Sequence, residues 1–255
     1  MRAAAFGSPE RSVELKEALW RFLFPEHCVV CGMGLEAPRR HFCQQCWERL
    51  PWVGEPTCPR CGSAVPPNAV VERGCASCRG QRFGFSSAVA PLHYERAARE
   101  LILRFKLAKE APLAYVLGEL LADFLASGGV SHRVDVIVPV PLHWRRRMTR
   151  TFNQAELLAR EIGARFNLPV VVGALVRKRA TQSQTAFPAL GRALNVRDAF
   201  KLGRRRGMLA GKRVLLVDDV LTTGATTSEC GRVLRRGGAA DVVVATVTKT
   251  RWVAR

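Results

Sequence analysis

VLLVDDVLTTGATT, residues 214–227, is the stretch that decides the fold of this 255-residue chain. Its apolar, β-branched start predicts a buried strand over 214–217 that ends at two adjacent carboxylates, Asp218 and Asp219. A loop of small hydroxyl residues with one glycine follows, and a helix is predicted over about 225–236. A second apolar run at 241–247 predicts the next strand. A strand, a helix and a strand in this order predict a right-handed crossover between parallel strands.

The residues of this stretch suit a phosphorylated sugar. The loop and the helix N-terminus present backbone N–H groups and a positive dipole end, which favour a phosphate. The Thr222, Thr223, Thr226 and Thr227 hydroxyls add donors, and Gly224 allows close approach of the backbone. The two carboxylates suit the neighbouring sugar hydroxyls, directly or through a divalent metal. We therefore infer a site for a 5′-phosphorylated ribose; it is not a Walker loop, because no G-x-x-x-x-G-K-[ST] motif is present.

The rest of the second half repeats the alternation of strands and helices. Strands are predicted at 87–92, 134–138 and 169–172, and helices at 96–107, 112–126 and 154–166. Together these elements predict an α/β domain with a mostly parallel sheet flanked by helices. Ligands of such sheets bind beyond the carboxyl ends of the strands.

The first third of the chain has a different pattern, which its cysteines dominate. Eight of the nine cysteines form four C-x-x-C pairs within 51 residues, and the ninth, Cys230, lies in a predicted helix and is expected to be buried and inert. Two such pairs complete a tetrahedral S₄ site for Zn²⁺, whereas four pairs in so short a stretch are not typical of redox-active thiols. Iron–sulfur ligation is the minority alternative. The predicted ligands are Cys28, Cys31, Cys43, Cys46, Cys58, Cys61, Cys75 and Cys78.

These cysteines predict two structural zinc ions. Four thiolates leave no coordination position for water, so neither site is expected to be catalytic. Spacing favours sequential use of the pairs but leaves interleaved pairing open. Gly32 and Gly62 each follow a pair at a position where such a turn often needs positive φ. The predicted domains are an N-terminal helix segment at 1–27, a double zinc ribbon at 28–84 and the α/β domain at 85–255.

The chain is strongly basic, with 40 Lys and Arg against 21 Asp and Glu. Residues 1–84 carry 11 basic and 8 acidic side chains, whereas residues 133–213 carry 18 and 4. A positive field concentrated in this way implies a polyanionic partner, although a merely solvated basic surface is the alternative. The longest apolar stretch, 112–126, is too short to span a membrane and contains two acidic residues. No signal peptide is evident, so a cytoplasmic location is expected.

The motif at 217–226, V-D-D-V-L-T-T-G-A-T, resembles the phosphoribosyl-pyrophosphate (PRPP) binding loop of type I phosphoribosyltransferases. Four further segments restrict the resemblance to one family: P-V-P-L-H at 139–143, R-T-F-N-Q at 150–154, and the segments at 177–185 and 192–200. With the double zinc ribbon, the chain resembles the ComF family, phosphoribosyltransferase-like proteins linked to DNA uptake in bacterial transformation. One departure is Thr151, which stands where that family usually has glycine.

The resemblance implies roles for individual residues. Asp218 and Asp219 are the candidate catalytic residues, as ligands of the ribose hydroxyls rather than as an assigned general base. The implied PRPP site, with Mg²⁺, consists of Asp218, Asp219, Val220, Thr222, Thr223, Gly224, Ala225 and Thr226. Apart from the resemblance, arginines in a loop beyond a strand end suit a pyrophosphate, and a polar run without apolar periodicity suits a mobile closing loop. The residues predicted for these roles are Arg145, Arg150, Asn153, Gln154, Lys178, Thr181 and Gln184.

Two functions stay open at this point. In the first, the protein binds PRPP and acts in DNA uptake, with single-stranded DNA and DNA-uptake proteins as partners. In the second, it is a phosphoribosyltransferase of nucleotide salvage or metabolism with no role on DNA. Binding PRPP and turning it over need the same residues, so the loop does not separate the two. A third reading, a zinc-ribbon nucleic-acid binder with a degenerate second domain, is disfavoured because the loop is intact.

Overall fold

The computed structural model describes residues 27–35, 41–72, 74–108, 110–142, 152–178 and 196–252. The chain divides into two compact units, Met1–Leu50 and Pro51–Arg255. The predicted N-terminal helix segment at 1–27 lies outside the described residues except for His27. The second unit contains the α/β sheet and also the cysteines from Cys58 to Cys78. The domain boundary predicted at residue 85 stays a prediction.

The first unit is built around four cysteines. Its knuckle turns at Gly32, whose φ is 74°, and closes with a bridge between His27 and Gly34. The backbone N–H of Cys28 donates to Met33 O at 2.8 Å. A short helix, α1 (Gln44–Glu48), begins directly after Cys43. The positive φ expected at Gly32 is confirmed.

A parallel sheet forms the centre of the second unit. Its strands are β1 (Ser87–Val89), β2 (Leu92–His93), β3 (Val136–Pro139), β6 (Arg213–Leu221) and β7 (Asp241–Lys249). The order is β1-β7-β6-β3, with β2 also paired to β7, and all of these pairings are parallel. β6 and β7 are the long central strands, and their register places Leu221 opposite Lys249. The predicted α/β class with a mostly parallel sheet is confirmed.

Helices connect and cover these strands. They are α2 (Arg96–Leu103), which continues into a π-helical turn (Arg104–Ala108), α3 (Leu113–Ser127), α4 (Gln154–Phe166) and α5 (Ala225–Arg236). One face of the sheet packs with Cys230, Val233 and Leu234 of α5. Helix α3 packs on α4, and α4 packs on β3 and β6. Cys230 is fully buried, as the sequence predicts.

The structure differs from the predicted secondary structure in several places. The strand predicted at 87–92 is two short strands, β1 and β2, interrupted at Ala90 and Pro91. The segment predicted as a strand at 169–172 makes only a single bridge, between Val170 and Ile137, because Pro169 lacks an N–H and the chain turns at Gly173, whose φ is 84°. A separate antiparallel pair, β4 (Leu175–Arg177) and β5 (Phe200–Leu202), was not predicted as strands. These two strands are only three residues long, too short for an alternation to be recognised.

In the described part of the chain, no helix is both long enough and apolar enough to cross a lipid bilayer.

Candidate functional site

The two adjacent carboxylates lie inside β6 rather than after its end. Asp218 pairs in register with Thr246, and the ladder with β7 continues to Leu221. The prediction that the strand ends at Val217 was wrong because β7 is also nine residues long and keeps pairing with the polar part of β6. Side chains alternate along a strand, so Asp218 lies on the face covered by α5 and Asp219 on the opposite face.

Asp218 is held in a setting that resists its ionisation. Burial raises the pKa of this carboxyl to about 7, and the negative charge of Asp219 acts in the same direction. The positive charges of Lys106 and Arg177 and a hydrogen bond from the Asp219 N–H, 2.9 Å from Asp218 Oδ1, oppose that rise. The protein alone stabilises the negative charge of Asp218 poorly. Binding of a cation or a hydroxyl donor to this carboxylate would therefore be favourable.

Lys106 completes this group, and no sequence motif predicts its role. It lies in the π-helical turn that follows α2, and its Nζ is 2.7 Å from Asp219 Oδ2. Both side chains are largely buried, so this ion pair is screened less than a surface pair. Single π-turns inside helices are frequent at functional sites. Nothing in the local sequence marks Lys106, since it belongs to an ordinary amphipathic helix pattern.

The loop after β6, residues 222–224, turns sharply into α5. Gly224 has φ 73°, in the left-handed region, and immediately precedes the first residue of α5. Thr223 Oγ1 accepts a hydrogen bond from the Ala225 N–H at 3.4 Å. Thr227 is buried and its hydroxyl donates to Gly224 O at 3.1 Å, so this hydroxyl holds the turn. It does not fit the predicted role of a phosphate donor. The N-terminus of this 12-residue helix thus begins six positions after Asp219.

The carbonyl of Thr222 is held from the C-terminal side of β7. Thr250 Oγ1 donates to Thr222 O at 3.1 Å, and the indole Nε1 of Trp252 donates to the same oxygen. The Thr250 N–H donates to Leu221 O at 3.0 Å and extends the strand pairing. These contacts fix the backbone path of the loop in the structure.

The cysteines fall into two groups, which resolves the pairing that the sequence left open. The first cluster is Cys28, Cys31, Cys43 and Cys46, and the second cluster is Cys58, Cys61, Cys75 and Cys78. Within each cluster the four sulfur atoms lie within 4.8 Å of one another. The pairing is therefore sequential.

The sulfur geometry fits tetrahedral zinc. Zn–S bonds of about 2.3 Å require sulfur atoms about 3.8 Å apart. The Sγ–Sγ distances are 3.8 Å for Cys58–Cys78 and 3.6 Å for Cys61–Cys75, and Cys31–Cys43 in the first cluster is also 3.8 Å. Each cluster supplies four thiol ligands, which fits a structural site closed to water.

Backbone hydrogen bonds lower the pKa of one thiol in each cluster, which favours the thiolate, the form that binds a metal. Burial raises the pKa of Cys58, but hydrogen bonds with the backbone of Cys61 and Cys75 outweigh it and lower the pKa to about 7. In the first cluster, the corresponding hydrogen bonds to Cys28 likewise overcome burial and lower its pKa to about 6. The second knuckle repeats the first, with Gly62 at φ 65° and a bridge between Thr57 and Ala64.

The residues predicted to hold pyrophosphate are only partly described. The Asn153 amide donates to Val140 O at 3.1 Å, and the Gln154 amide is buried and donates to Phe105 O at 3.3 Å. Both amides therefore join neighbouring segments of the unit, and Lys178 is exposed at the end of β4. Their contact with pyrophosphate stays a prediction. Arg145, Arg150, Thr181 and Gln184 lie outside the described residues.

Comparison with known proteins matches the two parts of the chain to two domain families. The double zinc ribbon domain matches residues 19–79, and the phosphoribosyl transferase domain matches residues 152–251. The chain is 30% identical to the DNA utilization protein YhgH of Escherichia coli over 229 residues, which is 89% of this chain and 98% of that protein. The chain belongs to the ComF family. It is also 29% identical to competence protein F of Haemophilus influenzae, over 87% of this chain and 96% of that protein.

A ComF-family chain thus combines a double zinc ribbon with a phosphoribosyltransferase domain, as the sequence motifs indicate. Among solved structures, it is similar to glutamine PRPP amidotransferase from B. subtilis, with 26% identity and a TM-score of 0.35. That match covers 51% of this chain and spans a quarter, 25%, of the other.

Proposed function

We propose that this ComF-family protein binds PRPP together with Mg²⁺ at the β6–α5 loop. The observation that carries the proposal is the sequence of groups along one short path: two carboxylates in β6, a left-handed Gly224 and the N-terminus of α5. Carboxylate oxygens accept hydrogen bonds from sugar hydroxyls, and the helix N-terminus favours a phosphate. The match of residues 152–251 to the phosphoribosyl transferase domain supports the same ligand class.

In this proposal each part of the site has a separate task. Asp218 and Asp219 bind the ribose hydroxyls, and the backbone and hydroxyls of Thr222 to Thr226 bind the 5′-phosphate. Lys106 holds the Asp219 side chain in place through an ion pair, since its Nζ lies 2.7 Å from Asp219 Oδ2. Bound Mg²⁺ would be held through carboxylate and phosphate oxygens and would neutralise part of the pyrophosphate charge.

Calorimetric titration with Mg-PRPP tests this assignment. We expect the double variant Asp218→Asn, Asp219→Asn to abolish binding, because amides replace both anionic acceptors. Its zinc content should stay at two per chain, since neither residue belongs to a cysteine cluster. An unchanged affinity in the double variant would overturn the site assignment.

For the biological role, we propose that the protein acts in DNA uptake and binds single-stranded DNA in the cytoplasm. The names of its relatives, competence protein F and DNA utilization protein, support this role. The concentration of basic side chains in residues 133–213 supports a polyanionic partner. Exposed members of that set in the described part include Lys201, Arg204, Arg205, Arg206 and Lys212.

A phosphoribosyltransferase of nucleotide metabolism is the second candidate. The intact carboxylate pair and loop favour it equally, because displacement at the ribose anomeric carbon uses the same ligand contacts. In that reaction an acceptor forms a bond to the anomeric carbon as the bond to pyrophosphate breaks. Pyrophosphate release from PRPP, measured with and without single-stranded DNA and with candidate bases, distinguishes the two. Pyrophosphate release that requires a base and does not depend on DNA would favour the phosphoribosyltransferase of nucleotide metabolism.

A further inference from the structure

A lysine is fully buried between the sheet and the second cluster. Lys249 is the last residue of β7, and its Nζ donates to Ser63 Oγ at 2.6 Å and to Cys61 O at 2.9 Å. A buried ammonium is costly unless it is hydrogen-bonded and its charge is compensated. With Zn²⁺ bound, four thiolates would carry a net charge of −2, which would compensate the ammonium of Lys249. The backbone of Lys249 is therefore part of the sheet, and its side chain binds the second cysteine-rich knuckle.

The same strand position adjoins the β6–α5 loop. Lys249 pairs in register with Leu221, the last residue of β6 before the loop. The next residue, Thr250, donates through both its N–H and its hydroxyl to the backbone at Leu221 and Thr222. A displacement of Lys249 would thus move the backbone at Thr222, the first residue of the loop.

Trp252 contacts both the cluster and the loop. Its ring centroid lies 5.1 Å from Lys249 Nζ, a cation–π distance. Its carbonyl accepts a hydrogen bond of 2.9 Å from Ser77 Oγ, between the ligands Cys75 and Cys78. Its indole N–H donates to Thr222 O. The ring also packs against Gly224, where a β-carbon would lie 3.4 Å from it.

The close packing of the knuckle on the sheet makes this connection stiff. A β-carbon on Gly62 would lie 2.5 Å from Ala88 O of β1, so the knuckle can approach the strand this closely only because residue 62 is glycine. All four sulfur ligands of the second cluster are buried. Loss of the metal from such a site would release the Cys61 carbonyl and the Ser77 hydroxyl, which contact Lys249 and Trp252.

From these contacts we propose that the second zinc cluster is a structural part of the ligand site, and that Trp252 is a positioning residue that couples the cluster to the β6–α5 loop. The part of this inference that concerns PRPP rests on the proposed function. Coupling of this kind is reciprocal: the cluster holds the loop in its binding conformation, and a ligand on the loop retains the zinc. The zinc ribbon then has a function in the phosphoribosyltransferase domain itself.

The test uses Trp252→Phe and Ser77→Ala in the full chain. The first removes the N–H donor to Thr222 and keeps an aromatic ring, and the second removes the donor to the Trp252 carbonyl. Arg251→Gln is the matched control, because it removes an exposed ion pair with Glu95 from the same segment without touching loop or cluster. Each protein is examined for zinc content, for amide hydrogen exchange of the 222–227 segment without ligand, and for Mg-PRPP affinity.

We expect both variants to retain two zinc ions while their loop amides exchange faster and their PRPP affinity falls about 5- to 10-fold, the range of one lost hydrogen bond. The control should match the wild type in all three measurements. A thiol-modifying reagent releases zinc by reacting with the cysteine ligands. In the wild type, Mg-PRPP should slow this release for one of the two zinc ions, and the protection should be weaker in Trp252→Phe.

Unchanged loop exchange in both variants would overturn the inference, even if PRPP binds. Faster loop exchange in both variants, together with a wild-type protein that does not bind Mg-PRPP, would uphold the structural coupling and reject the proposed function instead. Each result therefore decides one of the two claims.

Discussion

At the scale of single residues, the pKa of Asp218 leads to a prediction about stability. The folded state raises this pKa to about 7 from an unfolded value of 3.8, so the folded protein binds the proton more tightly than the unfolded chain. The resulting contribution to stability is complete below the unfolded pKa and is lost as the pH rises through about 7. The wild type loses this contribution between pH 5 and pH 8, whereas an asparagine does not titrate. Relative to the wild type, Asp218→Asn should therefore be more stable at pH 8 than at pH 5 by roughly 2–3 kcal/mol in the free energy of unfolding.

Denaturant titrations at several pH values measure this difference. Asp135→Asn is the control of opposite sign, because hydrogen bonds from Arg213 lower the pKa of Asp135 to about 2. Asp135 contributes stability above its unfolded pKa of 3.8. The loss of unfolding free energy in Asp135→Asn should therefore be the same at pH 5 and at pH 8. An Asp218→Asn effect that is equally flat would show that the carboxylate is not destabilised in the folded protein.

Lys106 gives a second prediction at this scale. Its charge lowers the pKa of Asp218 and pairs with Asp219 at 2.7 Å. Lys106→Met should therefore move the pH midpoint of Mg-PRPP binding upward, since Asp218 must then lose its proton without a neighbouring cation. Lys106→Arg keeps the charge and should leave the midpoint close to that of the wild type. Identical midpoints in all three proteins would exclude this role.

At the scale of elements, local patterns predicted helices better than contacts between distant segments. The bounds of α4 (Gln154–Phe166) and α5 (Ala225–Arg236) agree with the sequence prediction, because apolar periodicity and end signals are local. The continuation of β6 through Asp218 and Asp219 was not predictable from its own residues. It depends on the length of β7, with which those residues pair.

The same limit applies to the site. The sequence indicated the carboxylates, the threonines and Gly224 because they are contiguous. It gave no sign of Lys106, which reaches Asp219 from a π-turn more than 100 positions earlier. Nor did it indicate Lys249, whose partner Ser63 is 186 positions away. Apolar and polar patterns identify the faces of elements, and such pairs arise only when the fold brings separate elements together.

At the scale of the whole molecule, the second cysteine cluster and the sheet form one compact unit that begins at Pro51. A fragment of residues 1–84 would cut that unit, so the contribution of each part to DNA binding is best tested in the full chain. The basic excess of residues 133–213 predicts that DNA binding depends at least as much on this region as on the ribbons.

Charge reversal tests this prediction. Changing Arg204, Arg205 and Arg206 together to Glu should weaken binding of single-stranded DNA and make the dependence of log K on log salt shallower by about 2, the value expected for three lost phosphate contacts. The matched control reverses Arg49, Arg79 and Arg82, which are exposed in the cysteine-rich part. A larger loss in the control than in the Arg204–Arg206 variant would contradict the predicted distribution.

The central claim, a PRPP site at the β6–α5 loop, is tested most directly by a crystal structure of the full chain grown with Mg-PRPP. We expect the 5′-phosphate against the backbone of Thr222 to Thr226 and the ribose hydroxyls on Asp218 and Asp219, with anomalous zinc signals at both cysteine clusters. Well-ordered β6 and α5 with the ligand bound elsewhere, or with no ligand at saturating concentration, would contradict the account.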